Sequence, residues 1–520
     1  MAPSPPDVTV VVIVHNDAAR LPAAVASVLD QSLAGVEAVV VDDASTDGSG
    51  DVARALAAEH PGRVRAVVLP ENSGGCGRPR NVGVRHARGA HVMFLDSDDT
   101  LDRHACRNML EAAERTGADV VSGRCVRVFL DGRTGAAKGE RAWMPWLYKE
   151  TAVYRTLADK PELLFDTLST NKCYRRGFLE EHDLRFREDL HYEDLLFSAT
   201  VYLAARRIAL IPHRVYNWNV AVGGGAPSIS NRRGELANVE DRLAIHRQID
   251  ALLAAHGDPD LKTAKDVKFL KHDLKLYMSE YALRDAAYRK GFRALLAGYL
   301  PALDPAAADR VDPFLRMAAH LVTADDDAAL LTVSERIGGK GRIASPLSLR
   351  NGRVYWCDRH LDTPEGRRVL DVTSLGLDTR PLASMKLAAH VTGHRAERGA
   401  QPAELRGRVV NPLGRIPRGE LPGHLEFTSR ADAAHTFTVP VRASANRTEV
   451  AWTAEFPPAP RTLPIGVRDT LWNVRLHLAA GGTDLVCPVL VPAGTAIDLK
   501  VPVRPAFALF TTTWLRAYAT

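Results

Sequence analysis

Short, nearly unbroken apolar runs alternate with stretches of helical periodicity at the start of the chain. The runs are Val8–Val14, Val36–Val41, Val64–Leu69 and His91–Leu95, and their lack of polar interruption is the pattern of strands covered on both faces. Leu21–Leu29 and Gly50–His60 lie between them and bring apolar residues back at helical spacing. Such alternation predicts a mainly parallel sheet joined by crossover helices. Asp119-Val120-Val121-Ser122-Gly123 reads as a further short buried strand, and Glu193-Asp194 ahead of Leu195-Leu196-Phe197 as the start of a helix.

The pattern then changes twice. Gly223-Gly224-Gly225-Ala226-Pro227 is a flexible break. From Gly234 to Leu331 the periodicity is helical, with Asn238–Ala255 and Ala264–Ala287 as long helices and with Asp258-Pro259-Asp260 and Asp304-Pro305 as boundaries. Beyond Ile343, the segments Arg367–Val372, Leu405–Val410, Thr436–Val441, Glu449–Phe456 and Leu471–Leu478 alternate residue by residue between Pro and Gly turns. They predict an immunoglobulin-like β-sandwich region, with Phe456-Pro457-Pro458-Ala459-Pro460 as a loop between strands. The expected organisation is an α/β domain over 1–233, a helical linker over 234–342 and the β-sandwich region over 343–520.

Composition narrows the class. With 46% hydrophobic and 25% charged residues, the chain has the make-up of a soluble globular protein. No run reaches the roughly 18 uncharged apolar residues of a membrane span. Met1–Asp7 lacks the basic start and apolar core of a secretory leader. Cys76, Cys106, Cys125, Cys173, Cys357 and Cys487 show no paired or metal-ligand spacing, which fits reduced thiols and a cytoplasmic protein. Charge is unevenly placed. From Leu331 onward 25 Lys and Arg face 16 Asp and Glu, an excess of nine within a whole-chain net of +5, so the preceding part carries a net of −4. A basic tail on an acidic head suits an anionic partner surface, or is a solvated Arg-rich face and nothing more.

Candidate chemistry collects just past the strand ends. His15-Asn16 closes the first run, Asp42-Asp43-Ala44-Ser45-Thr46-Asp47-Gly48 the second, and Asp96-Ser97-Asp98-Asp99 the fourth. Open α/β sheets bind ligands beyond the C-terminal ends of their strands. Asp96, Asp98 and Asp99 would repel one another unless a cation lies among them, and a hard divalent ion carrying phosphate oxygens is the natural candidate. The plainer reading of Asp98-Asp99-Thr100 is a helix N-cap. Gly74-Gly75-Cys76-Gly77 makes no dinucleotide loop, because that fingerprint follows the first strand, where this chain has His15-Asn16-Asp17.

Taken in order, the pieces from about residue 8 to 230 resemble a family 2 glycosyltransferase of the GT-A fold, a Rossmann-like nucleotide-sugar domain. Ser27-Val28-Leu29-Asp30-Gln31-Ser32, Asn72-Ser73-Gly74, Arg80-Asn81-Val82-Gly83 and His191-Tyr192-Glu193-Asp194 carry the likeness together with the two acidic motifs. The resemblance implies a metal-dependent inverting transfer from a nucleotide sugar, expected to be a UDP-sugar. It assigns His15, Asp43, Asn72, Arg78, Arg80, Asp96 and Ser97 to the donor, with Asp43 accepting the uracil imide N–H. It gives Asp98 and Asp96 to Mn²⁺ or Mg²⁺, and makes Asp194 the general base with Glu193 orienting nearby groups. Each has a structural alternative: an Asx-turn for Asp43, a solvated loop residue for Arg78, helix capping for Glu193 and Asp194. Relatives often carry a His or Arg beyond the following strand, whereas Val215-Tyr216-Asn217-Trp218-Asn219 has none at that place. His213, Arg214, Arg232 and Arg233 are the nearby substitutes, and Trp218 is equally a sugar-stacking or a core residue.

The order of head, helices and β tail resembles bacterial wall teichoic acid glycosyltransferases. It implies an anionic glycopolymer or oligosaccharide acceptor, no nucleic acid, homo-oligomers formed through the tail, and peripheral association with the inner membrane face. Two rival readings stand beside it. One is transfer to a lipid-linked or capsular oligosaccharide; the other is a non-catalytic glycan-binding scaffold, against which the intact Asp96, Asp98 and Asp194 weigh.

Overall fold

The computed structural model describes residues 5–131, 134–222, 232–339, 341–395, 402–429, 433–434, 436–456 and 472–491, with the backbone of 461–462, 497–498, 503–504 and 514–515. The expected break at Gly223–Pro227 and the loop at Pro457–Pro460 lie outside the described residues. The chain forms two compact units, Met1–Lys268 and Phe269–Thr520, the boundary falling inside the stretch expected to be a linker.

In the first unit the elements begin as the hydrophobic pattern predicts: β1 (Val8–Val14), α1 (Leu21–Leu29), β2 (Val36–Asp42), α2 (Ser49–Glu59), β3 (Val64–Val68), α3 (Gly77–His86) and β4 (His91–Asp96). Then come β5 (Thr100–Leu101), α4 (Ala105–Thr116), β6 (Val120–Asp131), β7 (Ala137–Ala142), β8 (Ala152–Tyr154), β9 (Lys172–Arg175), α5 (Arg176–Glu181), α6 (Glu193–Ala204), β10 (Ile208–Val222), α7 (Leu236–His256) and α8 (Pro259–Lys268). The strands build one sheet in the order β3-β2-β1-β4-β9-β6-β10-β5, with β7 beside β6 and β8 beside β10. β3, β2, β1 and β4 run parallel; β9 lies antiparallel between β4 and β6, and β6 and β10 are parallel again.

The alternation of side chains splits each apolar run between two cores. Val11, Ile13, Val39 and Val41 face one core with Val82 and Val84 of α3 and Phe197 of α6. Val8, Val10, Val12, Ala38 and Val40 face the other, with Val25 of α1 and Met109 of α4. Both faces are covered, so β1 and β2 are buried throughout. Gly83 explains the end of the Arg80-Asn81-Val82-Gly83 motif: a Cβ there would sit 2.1 Å from Val11 Cγ1, so α3 lies directly on β1. Asn81 fixes the same helix from its other side, exchanging hydrogen bonds with the backbone N–H and C=O of Phe186, each at 2.9 Å.

The second unit opens with helices and ends in strands. The single helix expected over Ala264–Ala287 is broken: α8 passes into a π-helical turn at Phe269–Leu274, a short helix at Lys275–Met278 and a 3₁₀ turn at Tyr281–Leu283. A new helix, Ala286–Ala297, starts where Asp285 accepts the Tyr288 N–H. Asp304-Pro305 does begin a helix, with Asp304 capping Ala306. The strand expected over Arg367–Val372 is instead a helix, Pro364–Leu370, because Thr363 caps Gly366 and Pro364 occupies the first turn. The other expected strands are present and alternate buried with exposed residues, as in Trp472–Ala480. In place of the two packed sheets of a sandwich, seven strands form one closed ring in the order Ala389–Arg395, Ala403–Val410, Glu449–Phe456, Thr436–Ala445, Gly419–Ser429, Trp472–Ala480, Thr483–Leu490. A short parallel pairing, Ala389 with Val489 and His390 with Leu490, closes it and leaves fewer unpaired strand edges.

Candidate active site

β1, β2 and β4 end at the same edge of the sheet, where Asp43 N–H donates to Val14 O at 2.9 Å and Ser97 N–H to Ile13 O at 3.1 Å. The first polar cluster grows from β2. Asp43 is buried, and its carboxylate accepts from Ser73 N–H at 3.1 and 3.2 Å and from Ser73 Oγ at 2.8 Å. His15 Nδ1 lies 2.9 Å from the Asp43 carbonyl and 2.9 Å from Asn72 Nδ2. Asn72 Oδ1 takes the Gly74 N–H, and Gly74 has φ 75°, a left-handed turn that suits glycine. His15, Asp43 and Asn72 are thus brought together, and the Asp42–Gly48 turn has other acceptors, Asp42 for Ser45 N–H at 3.2 Å and Asp47 for Ser49 N–H at 3.0 Å. Arg78 stands apart, paired with Glu71 at 3.0 Å.

The second cluster surrounds Arg80. Its guanidinium, 3% exposed, donates to Asp96 at 2.9 Å, Glu193 at 2.8 Å and Asp194 at 2.7 Å. The family resemblance puts Arg80 on the nucleotide; the structure commits it to three carboxylates. Burial works against its charge, but Asp194 and Asp96 hold it well above the ordinary arginine value. Glu193 moves the other way: burial, then the charge of Asp194, push its carboxyl above the usual range. Both acids open α6 after Tyr192, whose φ of 67° is rare for a non-glycine residue. Tyr192 is held there by its hydroxyl on Asn238 at 2.8 Å and by Arg242 over its ring at 3.8 Å. Asp194 uses Oδ1 for both Arg80 and Ser169 Oγ, the latter at 3.0 Å, while Oδ2 has a single backbone contact at 3.5 Å from Ser169 N–H.

The acidic motif divides its labour. Ser97 Oγ donates to Asp17 at 2.7 Å, tying β4 to the loop after β1 rather than offering a free hydroxyl. Asp99 is buried under Tyr216 Oη at 2.6 Å and Asn219 N–H at 2.7 Å. Asp98 reaches solvent, with Arg20 at 3.7 Å, and burial together with the charge of Asp96 pushes its carboxyl up to about 6. The N-cap reading does not hold, since α4 begins at Ala105 after His104. Among the described residues no three His, Cys, Asp or Glu side chains form a ready-made metal cage. Of the basic substitutes near Trp218, Arg214 is bound to Glu140 at 3.0 Å and to Asn217.

A third cluster carries no motif in the sequence. Asp166 and Lys172 are fully buried and 2.9 Å apart. Ser122 and Tyr202 hydroxyls donate to Asp166 at 2.7 and 2.8 Å and Tyr148 at 2.6 Å; Lys172 also reaches the Asp166 and Leu168 carbonyls. Burial opposes the Asp166 charge, but Lys172 and Tyr148 outweigh it and lower the carboxyl below its usual range. This knot shapes the loop that carries Ser169, whose carbonyl takes the Tyr174 hydroxyl at 3.0 Å. A lysine directly before the apolar Cys173-Tyr174 is the available signal.

Known proteins resemble this chain in sequence and in fold. The Glycosyl transferase family 2 model matches residues 9–183. Succinoglycan biosynthesis protein ExoO of Rhizobium meliloti is 35% identical over 222 residues, 42% of this chain and 62% of ExoO. Poly(ribitol-phosphate) beta-N-acetylglucosaminyltransferase TarS of Staphylococcus aureus is 32% identical over 181 residues, 35% of this chain and 29% of TarS. The chain thus spans less than two thirds of the length of either relative. The crystal structure of S. aureus TarS shares the fold with a TM-score of 0.52 at 20% identity, covering 96% of this chain and 80% of that one. A structure of TarS 1–349 in complex with UDP-GlcNAc has the same TM-score at 23% identity, covering 68% of this chain and 97% of that one. Glycosyltransferase GlyG of Streptococcus pneumoniae is 34% identical over 284 residues, which is 54% of this chain and 91% of GlyG. On these matches the chain belongs to glycosyl transferase family 2.

Proposed function

We propose that the protein moves a sugar from a UDP-sugar to a hydroxyl of an anionic wall or surface glycopolymer, with inversion. The observation that carries the reaction is the asymmetry of Asp194: Oδ1 is taken by Arg80 and Ser169, while Oδ2 has only a long backbone contact. Oδ2 then accepts the proton of the acceptor hydroxyl as it attacks the anomeric carbon. Arg80 orients Asp194 through Nη1 and spans to Asp96 through Nη2, coupling the base to the acidic motif. His15, Asp43, Asn72 and the Ser73 turn hold the nucleoside, which the TarS complex with UDP-GlcNAc supports as uridine.

The residues fit a hard divalent ion, Mn²⁺ or Mg²⁺. Asp98 and Asp96 supply acidic oxygens, a cation would relieve the burial and the Asp96 charge that together raise the Asp98 carboxyl, and such ions fill their shell with phosphate oxygens and water. A bound ion supplies Lewis-acid neutralisation at the departing diphosphate. Arg80, Asp17 and Tyr216 hold the acidic motif in place around it.

The poly(ribitol-phosphate) in the name of TarS and the basic tail support the anionic acceptor. The name of ExoO supports the second reading, a lipid-linked or capsular oligosaccharide. No helix among the described residues is long and apolar enough to cross a membrane. We place the enzyme in the cytoplasm at the inner membrane face, assembled through its tail. A thermal-shift screen of nucleotide sugars with and without Mn²⁺ tests the donor, since ligand at a hundred times its Kd adds about 2.7 kcal/mol. UDP-sugars should stabilise most, and Asp98→Asn should abolish the metal-dependent part. Equal stabilisation by GDP- or CMP-sugars, or an unchanged variant, overturns the assignment.

A further inference from the structure

By sequence Trp218 fits a sugar-stacking or a core role equally, and its surroundings point to something else. The Arg127 guanidinium lies 4.2 Å from the Trp218 ring centre and 4.3 Å from that of Trp143, and the two rings are 5.9 Å apart and inclined at 67°. The cation therefore sits in a corner of two indoles rather than between parallel faces. Arg127 Nε is buried with no hydrogen-bond partner, and among the described residues no carboxylate pairs with this guanidinium. Across the β6–β7 ladder the residue directly opposite Arg127 is Arg141, also without a carboxylate partner among the described residues. Like charges in that position destabilise a sheet. Two facing arginines, one locked by aromatic contacts, make a preset site for an anion with two or more acceptor oxygens.

The location says which anion. Trp218 is the register partner of Arg127, and Tyr216, two residues earlier on the same face of β10, partners Cys125 and reaches Asp99 with its hydroxyl. The corner is therefore about 7 Å along the strand from the residue that anchors the acidic motif. The nucleoside loops follow β2, separated from β10 in the sheet by β1, β4, β9 and β6, or on the order of 20 Å of strand spacing. The corner flanks the motif on the side away from the nucleoside.

We infer that Arg127, Trp143, Trp218 and Arg141 form a phosphate-binding subsite for the acceptor, taking a phosphodiester of a polyol-phosphate chain next to the reacting sugar unit. This rests on the anionic-acceptor reading above. The shared chemistry is a phosphate group, and the donor diphosphate is the other source. Calorimetry on the full chain with a synthetic ribitol phosphate hexamer, a neutral hexasaccharide and UDP with Mn²⁺ separates them. Arg127→Gln should weaken the phosphate hexamer by about tenfold or more, the worth of a charge-assisted hydrogen bond, and leave UDP affinity unchanged. Arg141→Gln, an exposed change that spares the fold, should weaken it about two- to fivefold, as an exposed charge does, with the loss shrinking at high salt. A loss of UDP affinity in place of hexamer affinity assigns the corner to the donor and overturns the inference. So does a hexamer that binds both variants as it binds the parent. A parent chain that binds the neutral hexasaccharide and not the phosphate hexamer overturns the anionic-acceptor reading as well.

Discussion

Two buried charge clusters meet at Ser169 and Asp194, and they handle charge in opposite ways. Around Asp166 the account closes: one carboxylate, one ammonium, three hydroxyl donors and the Asn171 amide at 3.4 Å, with the remaining ammonium contacts going to carbonyls. Around Arg80 one guanidinium faces three carboxylates, and burial raises the carboxyl of Glu193. A saturated network gains rigidity because every buried polar group has a partner. An unsaturated one stores unfavourable charge that a ligand or a proton can relieve, which is where chemistry is expected. On the proposed reading the saturated knot fixes the loop and the unsaturated cluster carries the chemistry. That division can be broken from either side.

The largest effect is expected on the unsaturated side. Asp194→Asn keeps an oxygen for the hydrogen bonds from Arg80 and Ser169 and removes the basic Oδ2. Turnover should fall about 10²–10⁴-fold while the Kd for a UDP-sugar stays near that of the parent, the behaviour of a positioned base. Single-turnover transfer with separately measured donor binding checks both halves. Near-parental turnover would return Asp194 to a structural role and dissolve the contrast.

How much of this can be read from the sequence depends on how local each cause is. The strands β1, β2 and β4 are legible because their apolar runs report burial directly, and the acidic motif because it follows one of them. The barrel strands are legible from strict alternation, but their closure depends on the pairing of Ala389 with Val489, a hundred residues apart, which no periodicity encodes. The helix at Pro364–Leu370 reads as a strand because its apolar residues are few and its cap, Thr363, lies outside the alternating segment. Within the site, His15, Asp43 and Asn72 converge on one another. Arg80 does not stand alone as a nucleotide contact, because its partners Glu193 and Asp194 lie more than a hundred residues away. Asp166 and Lys172 carry no recognisable motif: their meaning is a short loop turned inward, visible only once Tyr148 and Tyr202 arrive from other elements.

On the saturated side, Lys172→Met leaves Asp166 buried without its counter-charge. Breaking one half of such a pair costs about 3–5 kcal/mol, which for a unit of this size lowers Tm by about 6–20 °C. The double variant Asp166→Asn with Lys172→Met should recover most of that loss, because neither charge is then stranded. Residual activity measured well below Tm sharpens the comparison: kcat should fall with KM unchanged, since the loop acts through the contact of Ser169 with Asp194. A single variant as stable as the parent would show that the knot is not a saturated pair.

The smallest effect concerns protons in the unsaturated cluster. Burial and Asp194 raise the Glu193 carboxyl from 4.5 to about 7, so between those values the folded protein keeps a proton that the unfolded chain has released. The unfolded state then binds fewer protons, and the contribution of Glu193 to stability falls as pH rises through that window and is level above it. Glu193→Gln removes the titration and keeps an oxygen to accept from Arg80 at Nη1. The variant should match the parent near pH 4.5 and exceed it at pH 8 by up to about 3 kcal/mol, or about 6–12 °C in Tm. The profile of Tm against pH for both proteins, in metal-free buffer at fixed ionic strength, is the measurement. Parallel profiles would mean that Arg80 neutralises all three carboxylates without strain, and the two clusters would then differ in composition but not in kind.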